Sequence, residues 1–138
     1  MAAYTKYTAA VESLVEGSNS GTDAWKIALA LTVNVDDATF VAGTTDLATA
    51  NGYTAGGNAC TTTTSAQTAG TYKLTLAAPA TWTASGAGFT FRYAILYNAT
   101  TGIPFGFWDY GSNVVMNGIN ADTFTVNLDA ANGVFSVA

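Results

Sequence analysis

From Ala24 the chain alternates with a period of two. Trp25, Ile27, Leu29, Leu31, Val33 and Val35 fall on one side, and Ala24, Lys26, Ala28, Ala30, Thr32 and Asn34 on the other. Successive side chains of a strand point to opposite faces, so the pattern predicts one long strand over 24–35, ended by Asp36-Asp37. Its even face is small, suited to close packing against another layer or to water. Ahead of it the period is 3.6. Tyr7, Val11, Leu14 and Val15 recur at i, i+4, i+7 and i+8, which predicts a helix over 5–16 stopped by Gly17. Three turns with so few apolar groups are marginal alone, so this helix must dock on the rest. The polar run at 17–23 reads as a flexible connector.

Residues 38–58 are punctuated rather than periodic, with a short helix expected at 45–50 and a glycine-rich turn after it. Strands are then predicted at 59–67, 71–77, 80–84, 88–97, 103–109, 113–117, 122–128 and 133–137. The last two are joined by Asp129–Gly133, which reads as a hairpin loop. Many short strands without crossover helices make an all-β fold, an antiparallel β-sandwich or jelly roll with one N-terminal helix. One domain is expected over 1–138, with helix and connector in 1–20 and the sandwich in 24–138. Within it, Ile103–Tyr110 puts aromatics on both faces of one strand. One face serves the core, and the other needs a covering layer or a partner.

Composition narrows the chemistry. Only 9 % of the 138 residues are charged, against 49 % hydrophobic, and histidine is absent. Ser-His-Asp and Cys-His sites are therefore impossible, and the usual zinc ligand sets fail too. The net charge of −5, with only Lys6, Lys26, Lys73 and Arg92 as cations, argues against nucleic acid and against an anionic membrane. No apolar run approaches a membrane helix. The N-terminus lacks the apolar core of a secretory signal, so production in a cytoplasm is expected. Cys60, the single cysteine, reads as a small buried hydrophobe.

The remaining motifs favour structure over catalysis. Gly52–Gly57 lacks the ending of a phosphate loop and reads as a tight turn needing positive φ. Asn98-Ala99-Thr100 matches a glycosylation sequon but reads as a strand-end turn. Asp36, Asp37, Asp109, Asp122 and Asp129 sit at predicted strand ends or loops, as solvated turn carboxylates do. No cofactor, metal or catalytic residue is expected.

The order of blocks resembles small virion structural proteins of tailed bacteriophages, especially head decoration (cement) proteins. The blocks are TKYTAAVESLVEG, DAWKIALAL, ATANGYTAGGNA, GTYKLTL with ATWTASG, RYAILYNATTG, and GFWDYGS with DTFTVNLD. The resemblance implies a non-enzymatic sandwich that coats the outer capsid surface as an oligomer, assembled in the host cytoplasm. Its partners would be the major capsid protein and further copies of itself, a trimer being the expected arrangement. The interface residues expected are Tyr4, Tyr7 and Val11 near the N-terminus, with Phe107 and Trp108 from the aromatic strand. Each could instead serve the domain's own core, Val11 and Phe107 most readily. A tail-fibre or baseplate module that binds receptor glycans is the alternative, and a carboxylate-based glycosidase a more distant one.

Overall fold

The structure, a computed structural model, describes residues 2–138. The chain runs β1 (Ala3–Lys6), α1 (Thr8–Glu16), β2 (Trp25–Ala30), β3 (Asn58–Cys60), β4 (Thr62–Thr68) and β5 (Thr71–Leu76). It continues through β6 (Trp82–Thr83), β7 (Phe89–Asn98), β8 (Ile103–Met116), β9 (Thr123–Phe124) and β10 (Phe135–Val137). Every strand pair is antiparallel, in a five-stranded sheet β1-β8-β7-β2-β3, a three-stranded sheet β10-β5-β4 and a small pair β6-β9. This is the all-β sandwich with one short helix that the spacing of apolar residues implied.

The five-stranded sheet is buried on both faces. Trp25, Ile27, Leu29, Leu96 and Phe105 turn inward and meet Leu74 and Leu76 of the smaller sheet. Ala28, Ala30, Ile95, Tyr97 and Phe107 form a second cluster with Tyr7 and Phe40. The small even face of β2 is therefore packed rather than wet. A bulge explains how β8 serves both clusters: Leu96 pairs with Gly106 and Tyr97 with Pro104, so Phe105 is an extra residue that breaks strict alternation.

Five expectations are corrected. The strand predicted over 24–35 stops at Ala30. Beyond it Leu31 and Val35 are exposed, and the Val35 carbonyl accepts the Thr8 N–H at 3.0 Å instead of a ladder bond. Side-chain alternation thus outlasts the pairing. The helix predicted over 5–16 begins at Thr8, because residues 3–6 pair with β8. Tyr7 is extended, with φ −78° and ψ 152°, and donates its N–H to Phe105 O at 2.9 Å. It anchors the strand-to-helix corner instead of joining a helical stripe.

No helix forms at 45–50: a turn over 41–45, with the Thr44 and Thr45 N–H groups on Val41 O, runs into irregular chain. Asp129–Gly133 turns the chain, yet no hairpin forms: β9 pairs with β6 and β10 with β5. Phe135 is drawn away by aromatic packing, its ring 5.9 Å from Trp25, 5.6 Å from Phe105 and 6.3 Å from Tyr72. The two strands predicted at 103–109 and 113–117 are one, β8. Residues 110–113 bulge out of it, since Tyr93 pairs with Asp109 and Phe91 with Val114.

Candidate interaction surface

The polar side chains of this chain are largely committed to holding its own loops. Arg92 binds Asp109 through two hydrogen bonds of 2.8 and 2.9 Å, bridging the mouth of the β8 bulge. That guanidinium, helped by the Gly111 N–H, holds the Asp109 carboxyl below the usual carboxylate range. Asp129 accepts the Ala131 and Asn132 N–H groups of its own turn, and Asp122 accepts that of Asn117. Asp36 receives the Thr8 hydroxyl at 3.3 Å. Among the described residues no group of three or more acidic or cysteine side chains is placed to hold a metal ion.

Two carboxylates that sequence reasoning passed over hold loops to the larger sheet. Asp46 is buried and accepts the Gly43 N–H at 2.6 Å, the Gly56 N–H at 2.6 Å and the Tyr53 hydroxyl at 2.5 Å. The Tyr53 hydroxyl in turn accepts the Leu29 N–H at 3.0 Å, tying the 41–57 loop to the end of β2. Burial, then the hydrogen bond to Asp46, raises the Tyr53 hydroxyl well above its ordinary range. Asp23 accepts the Asn98 amide at 2.6 Å. Asn98 is fully buried, and its own Oδ1 takes the N–H groups of Thr100 and Thr101, so the sequon is a strand-end turn. Gly52, Gly56 and Gly57 all have positive φ, as the tight-turn reading requires. Cys60 is buried among apolar groups, which pushes its thiol up to about 12.

The five residues expected at an interface fall into two sets. Tyr7 and Phe107 are buried in the chain's own core, their rings 5.5 Å apart and edge-on, and present no surface. Tyr4 and Trp108 are half-buried against each other, ring centroids 5.0 Å apart. Gly106 makes room for them, because a Cβ there would overlap the Tyr4 ring. Val11 is 49 % exposed and its helical neighbour Val15 is 84 % exposed. The helix buries Ala10 and Ser13 instead.

These valines stand over an open groove of about 910 Å³. Tyr4 and Lys6 of β1 line one part of it, Val11, Leu14 and Val15 of α1 another, and Phe135, Ser136 and Val137 of β10 a third. Its surface is mostly apolar, and among the described residues Lys6 is its only charged side chain. Val15 was expected on the helical stripe that docks on the rest and Val137 in the last strand, yet both are exposed here. A helical stripe says which residues share a face, not whether that face meets the core. No protein-family model, curated protein or solved structure matches the chain.

Proposed function

We propose that the chain is a non-enzymatic structural protein of a virus particle, a decoration protein that binds the outer face of a tailed-phage head. It would contact the major capsid protein and other copies of itself, and raise the cost of lattice rupture by burying surface across capsomer junctions. The observation that carries this reading is the open apolar groove beside α1, with Val11 and Val15 exposed above it. Contiguous exposed apolar surface marks docking sites. The order of blocks from TKYTAAVESLVEG to DTFTVNLD supplies the phage association. Interfaces of about 1,200–2,000 Å² repeated by symmetry stabilise a lattice without any chemistry.

A glycan-binding tail module is less well supported. It would use an exposed aromatic platform, yet Trp25 and Trp82 are buried, Trp108 packs on Tyr4, and the exposed large apolar side chains among the described residues are aliphatic.

The test adds purified protein to phage heads that lack it and follows co-sedimentation. Wild-type protein is expected to bind and to raise the temperature at which heads rupture. V11E/V15E changes exposed positions only, so it stays folded, within about 0.5 kcal/mol of wild type, and loses binding. Deleting residues 1–16 is a poorer test, because it removes an edge strand and the buried Tyr7 ring. Wild-type protein that ignores heads overturns the decoration reading.

A further inference from the structure

Three asparagines stand directly before a glycine: Asn51-Gly52, Asn117-Gly118 and Asn132-Gly133. All three are exposed. Glycine has no Cβ to keep its backbone nitrogen away from the preceding side chain, so such pairs can react with themselves. The fold treats them differently. At Asn132 both reacting groups are held: its Nδ2 donates to Asp129 Oδ2 at 2.7 Å, and the Gly133 N–H donates to Asp129 O at 2.9 Å. Asn51, with φ 54°, lies in a turn closed by two bonds between Ala50 and Tyr53, of 3.0 and 2.9 Å, and its carbonyl accepts the Ser85 N–H. Gly52 sits so close to β6 that a Cβ there would overlap the Thr83 carbonyl, which pins that turn further.

At Asn117 the reacting groups are free and the carbonyl is polarised. Among the described residues the Gly118 N–H has no acceptor. Asn117 Oδ1 accepts the Ile119 N–H at 2.9 Å and the Asn120 N–H at 3.3 Å. Such a turn folds the side-chain amide back over the peptide that follows it. Two N–H groups on a carbonyl oxygen also stabilise the negative charge that builds there when its carbon is attacked. Ile119 is 90 % exposed, so the turn is open to water. We propose that Asn117 is a self-modification site, converted through a cyclic imide to isoaspartate and aspartate. Hydroxide takes the Gly118 amide proton and the nitrogen attacks Asn117 Cγ. The N–Cγ bond forms, the Cγ–Nδ2 bond breaks, and Nδ2 leaves as ammonia with a proton from water, which restores the hydroxide. Water then adds to either imide carbonyl and opens the ring. The product places a second carboxylate beside Asp122, whose Oδ2 accepts the Asn117 N–H at 2.8 Å, and the isoaspartate form adds a methylene to the backbone.

The test incubates the full chain in mildly alkaline buffer and follows each asparagine by mass spectrometry of proteolytic peptides, with fragmentation that tells isoaspartate from aspartate. In the folded chain Asn117 is expected to convert at least about tenfold faster than Asn51 or Asn132, with isoaspartate as the main product. Unfolded in urea, the three should convert at similar rates, since each precedes glycine and no fold separates them. Equal rates at the three sites in the folded chain overturn the inference, and so does a lead by Asn51 or Asn132. Conversion of Asn117 only after unfolding overturns it too, because the turn would then protect the amide. Aspartate without isoaspartate would mean direct hydrolysis by water, and would overturn the imide step.

Discussion

On the face of β2 and β7 turned away from the smaller sheet, Phe40 stacks on Tyr97 with ring centroids 3.8 Å apart, and Asp46 pins the 41–57 loop alongside. At the β1 end, by contrast, Val11 and Val15 stand over a groove that is open among the described residues. Both regions cover apolar surface of the same sheet, but only the first is closed, by a buried carboxylate whose three donors come from its own loop. A buried charge is tolerated when it is fully hydrogen-bonded, and such a network fixes one arrangement of the backbone. The second region is fastened only at its rims, where Asp23 accepts the Asn19 N–H and the Asn98 amide and where Thr8 binds Asp36. Its valines stay exposed, and the proposed docking surface rests on this contrast.

The largest expected effect comes from breaking the closed face. D46A leaves the Gly43 and Gly56 N–H groups and the Tyr53 hydroxyl without their acceptor, at a cost of about 3 kcal/mol. Urea denaturation checks this, and wild-type stability in D46A would mean that the loop is not held there. Next is the open region. G106A drives a methyl group into the Tyr4 ring, so β1 should loosen and unfolding should cost about 2 kcal/mol less. Y4A in the same chain should restore most of that loss, as read by thermal unfolding.

The smallest effect is expected at the half-buried Arg92–Asp109 pair, which lies outside both regions. Its aspartate has a folded pKa below the unfolded value of about 3.9. The stability it supplies is therefore present above that value and lost as pH falls through the folded one. Wild type and D109N should differ slightly at pH 6 and converge at pH 2, by urea titration at each pH. A gap that widens in acid would contradict the sign.

Strand positions were legible because alternation is local: the segments around Tyr72, Phe91 and Phe124 each carry their own period of two. Strand partners were not. Phe135 reads equally well in a hairpin with the preceding segment, and only the distant rings of Trp25 and Phe105 decide otherwise. The N-terminal segment misled for a related reason. Tyr7 fits the helical stripe by spacing, yet the acceptor for its N–H is Phe105 O, on another strand. Asp46 carried no local signal, since its donors lie at both ends of a loop rich in glycine and threonine. Of the interface residues expected from sequence, Val11 was legible as apolar and N-terminal, while its exposure depended on which helical face the corner at Tyr7 turned outward.

The most direct test of the proposed role is cryo-electron microscopy of tailed-phage particles assembled in cells that make this chain. The account predicts density repeated across the icosahedral shell, with Val11 and Val15 of α1 turned toward the capsid protein. Density confined to the tail or to one vertex, or particles without the chain, would contradict it.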